Sequence, residues 1–205
     1  MAYSDFSLEQ VSRAFGISTQ AATLFPSLEP IAVPAPLKET LSKRTQLALI
    51  SEKARSEFIV VPILIAIRDL SPTPLAIFSG QRLDVDPARG LVGECDFILA
   101  AGPSVPPLRA PIATIVEAKK NDIEVGLGQC IAQMVAARIF NQESGLLSAP
   151  VYGCITTGEV WQFLQLVDGR ALIDENRHYL DSVGIILAVF QAMIASAHNP
   201  SDRTA

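Results

Sequence analysis

Apolar and polar residues alternate in blocks along the chain, and the blocks change period in a way that predicts a mixed α/β protein. Residues 5–15 read as a short helix. Ser7 is its N-cap, Gln10 stands three positions on, and Gly16 ends it. Pro26, Pro30, Pro34 and Pro36 then mark an extended wrap, since proline cannot donate to a helix or a central strand. Over residues 37–70, Leu47, Ile50, Ala54 and Val61 keep helical spacing and predict one long helix, kinked at Pro62. Three strand-like runs follow, at 75–85, 93–100 and 111–119. The first two are separated by Asp86-Pro87-Ala88-Arg89-Gly90, a turn that favours an antiparallel hairpin. A helix is expected over 123–141, a second hairpin over 151–157 and 160–167 around Gly158-Glu159, and a last helix over 181–197, apolar all round.

Three acids and a lysine interrupt this pattern. Ile112 to Val116 is an unbroken apolar run, and it ends in Glu117-Ala118-Lys119. In a strand, side chains alternate, so Glu117 and Lys119 project to one side. Asp96 lies inside the run 93–100, where an unpartnered carboxylate would be costly to bury. Glu57 falls within the inward stripe of the long helix, and Gln129 and Gln133, four apart, share a face of the helix after Lys119. Carboxylates without histidine partners suit a hard divalent cation, and an ammonium can stabilise charge developing on a phosphate. Glu94 shares the strand side of Asp96 and reads as a further ligand or as a solvent-facing acid. Asp84 and Asp86, just before Pro87, read as turn acids. Gly126 and Gly128 would let backbone approach a phosphate or a neighbouring element.

The order of these residues resembles the PD-(D/E)XK, or restriction-endonuclease-like, nuclease superfamily, in the branch that carries a glutamine after the lysine motif. The residues are an acid on a helix (Glu57), Gly93-x-x-Asp96, a strand ending Glu117-x-Lys119, and a helix opening with Gln129. The likeness spans residues 40–167. It departs from the pattern in lacking a proline before Asp96, in Ala118 at the centre of the motif, and in Gln133 where an aromatic residue is common. The resemblance implies an α/β fold with a mixed central sheet flanked by helices. It also implies hydrolysis of DNA phosphodiesters with Mg²⁺ or Mn²⁺. Asp96, Glu117 and Glu57 would be metal ligands, Lys119 would act on the nucleophile or transition state, and Gln129 would support water or ligand. The alternative it leaves open is a non-catalytic accessory or regulatory protein of the same fold, in DNA rearrangement or defence.

Composition bears on this expectation in both directions. At 205 residues the chain suits one domain, divided as an N-terminal helix and wrap (1–36), a nuclease-like domain (37–199) and a tail (200–205). With 49% hydrophobic residues and a mean hydropathy of +0.33, a substantial core is expected. The net charge of −5 lacks the basic field usual for DNA binding, so the expectation is a homodimer or a protein working with a partner. The local basic residues are Lys38, Lys43, Arg44, Lys53 and Arg55, with Lys119, Lys120 and Arg138 near the expected site. Residues 183–197 are broken by Gln191 and predict no membrane span, and the N-terminus shows no basic-then-apolar leader. Cys95, Cys130 and Cys154, odd in number and set in core elements, predict reduced thiols of a cytoplasmic protein.

Overall fold

The computed structural model describes residues 1–104, 106–146 and 150–198. The tail expected at 200–205 lies outside them. In chain order the elements are α1 (Leu8–Phe15), β1 (Ser18–Ala22), α2 (Ala35–Ser42), α3 (Glu52–Arg55), α4 (Val61–Leu70), β2 (Leu75–Arg82) and β3 (Glu94–Ala101). Then come β4 (Ile112–Ala118), α5 (Leu127–Glu143), β5 (Val151–Thr156), β6 (Val160–Val167), β7 (Arg170–Tyr179) and α6 (Val183–His198). The strands form one seven-stranded mixed sheet in the order β1-β7-β6-β5-β4-β3-β2. β4 and β5 run parallel, as do β1 and β7, and the other neighbours are antiparallel.

Helices cover both faces of this sheet, as two-faced burial of the central strands requires. On one side α1 and α5 pack through Val11, Ile131 and Val135 against Ile98, Ile115 and Leu164. On the other, α2, α4 and α6 pack through Leu37, Ile63, Ile67 and Phe190 against Leu99, Val116 and Trp161. All seven residues of β4 are buried, consistent with its central place. The first helix is capped as its sequence indicates: Ser7 Oγ accepts from Gln10 N, Ser7 N donates to Gln10 Oε1, and Gly16 closes the helix at φ 65°. It docks on α5, where a Cβ on Gly128 would lie only 2.2 Å from the carbonyl oxygen of Phe6.

Four features differ from the sequence reading. The helix expected over 37–70 is two separate pieces. It stops after α2 and a 3₁₀ turn (Lys43–Gln46), and a new helix begins at Ser51, whose Oγ accepts from Ala54 N. Leu47 and Ile50 therefore lie in the connection and are exposed at 40% and 74%, not on an inward stripe. The second helix runs from residue 52 to 70 without a break, because a π-helical turn (Ser56–Val60) precedes Pro62. The widened turn accommodates the absent N–H and the ring that would crowd the carbonyl of residue 58. Two strands also form that the pattern did not predict, β1 at one edge of the sheet and β7 beside it. β1 (Ser-Thr-Gln-Ala-Ala) is polar and mostly exposed, and β7 carries Asp174, Glu175, Asn176, Arg177 and His178 in sequence. Finally, Leu180–Ala197 does reach the length and hydropathy of a membrane span, with a mean of 1.8, contrary to the shorter reading of 183–197. Over half of it is buried in the protein, and Gln191 donates to the carbonyl of Ile67, so here it serves as a core helix.

Candidate functional site

The end of β4 is where charge enters the core. Glu117 is 2% exposed, and its neighbour across the β4–β5 pair is Ile155. The β3–β4 register ends at Phe97↔Val116, and one further step sets Asp96 beside Glu117. The Asp96 carboxylate accepts the backbone N–H of Ala118 at 2.8 Å, so β3 and β4 are tied together at this point by a side chain. Lys119 follows, its backbone N–H held by the carbonyl of Thr156 at 2.8 Å, and its ammonium folds back to Glu117 Oε1 at 2.7 Å.

Helix α5 supplies the other half of the network. Gln129 Oε1 accepts from Lys119 Nζ at 3.0 Å, and Gln133 Nε2 donates to Glu117 Oε2 at 3.0 Å. The two glutamines, one turn apart, thus hold the lysine and the glutamate respectively. Gln133 is completely buried, and its Oε1 has no hydrogen-bond partner among the described residues. The 3₁₀ turn before α5 (Glu124–Gly126) places Gly126 against Lys119. A Cβ there would come within 3.1 Å of Lys119 Cε, so the lysine uses space that only glycine leaves.

Electrostatics mark these groups off from ordinary ion pairs. Burial, with the nearby Asp96 charge, pushes the Glu117 carboxyl up to about 7 despite its contacts with Lys119 and Gln133. Burial likewise raises the Asp96 carboxyl, against the pull of the Ala118 N–H and Lys119. Burial works against the Lys119 ammonium, but Glu117, Asp96 and Glu52 outweigh it and hold the lysine above its ordinary value. All three cysteines are buried free thiols, and burial raises each of them.

Beside this network a cleft of about 390 Å³ opens between the helix at 52–61 and the strands β2 and β3. Glu52, Lys53, Glu57, Glu94 and Asp96 stand in its wall. Glu57 is present but loosely engaged: its side chain is 52% exposed and pairs with Lys53 at 3.8 Å. Glu52, also exposed, shares the cleft wall, and its charge raises both Asp96 and Lys119. Its signal in the sequence was Ser51, a helix cap that puts Glu52 in a first turn, concealed when one helix was drawn through 37–70. Glu94 is exposed at the cleft, while Asp84 and Asp86 cap the N–H groups of Gly93 and Arg89 as turn acids.

Asp96, Glu117, Lys119 and Gln129 are therefore brought together, Gln133 joins them, and Glu57 stays at the rim. Among the described residues, no three acid, histidine or cysteine side chains stand close enough to form a ready cage for an ion. The donors nonetheless suit a hard divalent cation. The Asp96 and Glu117 carboxyls stand on adjoining strands and both are raised chiefly by burial, a cost that a bound cation would offset, and Glu52 shares the cleft wall with Asp96. Several of the local basic residues are already paired with acids. Lys43 pairs with Glu39, Arg44 with Glu159 and Asp181, and Lys53 with Glu57. No protein-family model matches the chain, and no curated protein matches it.

Proposed function

We propose that this protein is a Mg²⁺- or Mn²⁺-dependent nuclease with a restriction-endonuclease-like core, acting on DNA phosphodiesters. One observation carries the reading: a buried glutamate near neutral pKa, hydrogen-bonded to a lysine two residues on, beside an aspartate of the adjoining strand. The succession of a helix, the antiparallel β2-β3-β4 and then α5 leading to a parallel β5 supports it as well, since it is the order the resemblance implies.

In this reading Asp96 and Glu117 hold the cation, with Glu52 as the third carboxylate in place of Glu57. The ion supplies charge neutralisation at the scissile phosphate. Lys119 then does what its position allows: the ammonium hydrogen-bonds an incoming water or a phosphate oxygen and stabilises charge as it develops. Gln129 keeps that ammonium aimed, and Gln133 keeps Glu117 from turning away. The buried free thiols suit a reducing compartment such as the cytoplasm. A homodimer or partner protein would supply the positive surface that an acidic chain lacks.

A second reading, a non-catalytic accessory protein of the same fold, is favoured by the acidic cleft wall, where Glu52, Glu57, Glu94 and Asp96 face a single Lys53. Calorimetric titration of Mn²⁺, run beside a nicking assay at low salt on supercoiled and single-stranded DNA, separates the two. Under the nuclease reading Lys119→Ala lowers cleavage by about 100-fold or more while Mn²⁺ still binds, and Asp96→Asn or Glu117→Gln removes both. Binding without cleavage in the wild type selects the accessory reading, and absence of both rejects the metal site.

A further inference from the structure

Arg55 ties the start of the helix that carries Glu52 to the strand ends of the site. Arg55 lies one turn after Glu52 and donates through Nε to the carbonyl of Leu49 at 3.0 Å. Its Nη1 donates to the carbonyl of Lys120 at 2.6 Å and to that of Thr157 at 3.5 Å. These carbonyls belong to three different segments: the connection before α3, the residue after Lys119, and the turn after β5. No carboxylate pairs with Arg55 among the described residues, so its charge is spent on backbone oxygens. A planar fork with several fixed donors can bridge three such acceptors, which a lysine cannot do.

Both anchors are stiff. The turn after β5 is closed by Thr157 N to Val160 O and by Gly158 N to Thr156 Oγ1, with Trp161 Nε1 donating to Gly158 O. A Cβ on Gly158, at φ 85°, would lie 3.5 Å from Arg55 Cβ, so the turn seats directly on this helix. Lys120 follows a residue whose backbone is bonded to β5. The clamp therefore ties the start of the Glu52 helix to the strand end that presents Glu117 and Lys119.

We propose that Arg55 is a positioning residue: by binding the carbonyls of Leu49, Lys120 and Thr157, it holds Glu52 in the cleft wall that Asp96 shares, as the third carboxylate of the site. This rests on the nuclease reading and adds to it the part that sets the third ligand. Residues that orient a metal-binding carboxylate typically change affinity by about 10–100-fold when removed.

The test is a double-mutant cycle read by Mn²⁺ calorimetry, with melting temperatures measured beside it. Arg55→Ala and Glu52→Gln each weaken Mn²⁺ binding by about tenfold or more. The double variant Glu52→Gln/Arg55→Ala binds no more weakly than the weaker single variant, because the clamp acts only through Glu52. Arg55→Lys falls between wild type and Arg55→Ala, and it replaces Arg55→Ala in the cycle if that protein does not fold. An Arg55 variant with a lower melting temperature but unchanged Mn²⁺ affinity overturns the proposal, as do losses that multiply in the double variant. A wild type that binds no Mn²⁺ rejects the nuclease reading, and this inference with it. A wild type that binds Mn²⁺ with no Arg55 effect rejects this inference alone.

Discussion

Two carboxylates are almost equally buried in this protein, Glu117 on β4 at 2% exposure and Asp174 on β7 at 3%, and they are held in opposite ways. Asp174 sits where the β6–β7 register shifts. Its Oδ1 accepts the backbone N–H groups of Asn176 at 3.2 Å and Leu24 at 3.5 Å, and its Oδ2 faces His178 Nε2 at 3.4 Å. Glu117 has side-chain partners, Lys119 and Gln133, each at the end of rotatable bonds. Backbone donors cannot leave, so Asp174 fastens the chain after β1 to β7. Side-chain donors can be displaced by a ligand, so Glu117 sits at a place that can react. Burial alone does not distinguish a latch from a site; the kind of partner does.

Removing each acid tests that distinction most strongly. Asp174→Ala strands at least two backbone N–H groups and should destabilise the protein by about 2–4 kcal/mol in urea unfolding. Glu117→Gln removes a buried charge and keeps an acceptor for Gln133, so it should change stability by less than about 1 kcal/mol at pH 7. Equal losses would erase the difference between latch and site.

The pH dependence of stability sharpens the comparison. The folded protein keeps a proton on Glu117 that the unfolded chain releases, so the Glu117 contribution is fully present below about pH 4.5 and is lost as pH rises through about 7. The loss across that window should be on the order of 2–3 kcal/mol. Denaturant midpoints at pH 4.5 to 8 should show this fall in wild type and a flatter profile in Glu117→Gln. An unchanged profile would mean that another group titrates.

A smaller effect is expected at Gln133. Gln133→Met loses a hydrogen bond to Glu117 but also removes a buried, unpartnered amide oxygen, so the two should cancel to within about 1 kcal/mol. Mn²⁺ affinity should fall in the same variant, because Glu117 is then free to turn. Least of all is expected at the cleft rim. Glu57→Gln should leave both unfolding midpoint and Mn²⁺ affinity unchanged, since its pair with Lys53 is exposed. Calorimetry that shows weaker binding there would restore Glu57 as a ligand.

Much of this arrangement was legible in the chain because it depended on local rules. The capped helix at Ser7, the apolar run into Glu117, the turn at residues 86–90 and the strand pairs on either side of it all follow from periodicity and turn chemistry. The reading of Glu57 on an inward stripe had a local cause too. Ser51 begins a new helix, and reading through it set the stripe by Leu47 and Ile50, which lie in the connection; Glu57 is half exposed at the cleft and pairs with Lys53. β7 was invisible for another reason. Asp174 to His178 shows no alternation, and the strand forms because β6 and β1 flank it and because a side chain from the strand itself binds the chain after β1.

The sequence by itself determined the capped first helix, the β2-β3-β4 run into α5, the buried apolar strand β4, and Glu117 and Lys119 on one side of its end, since strand alternation and helix spacing act within a few residues. Only the tertiary structure decided that Glu52 and Glu57 line one cleft with Asp96, that Gln133 holds Glu117, and that Arg55 bridges Leu49, Lys120 and Thr157. Those choices depend on how a helix and two strand ends are set in space, and no local periodicity encodes the distance between segments 65 and 102 residues apart.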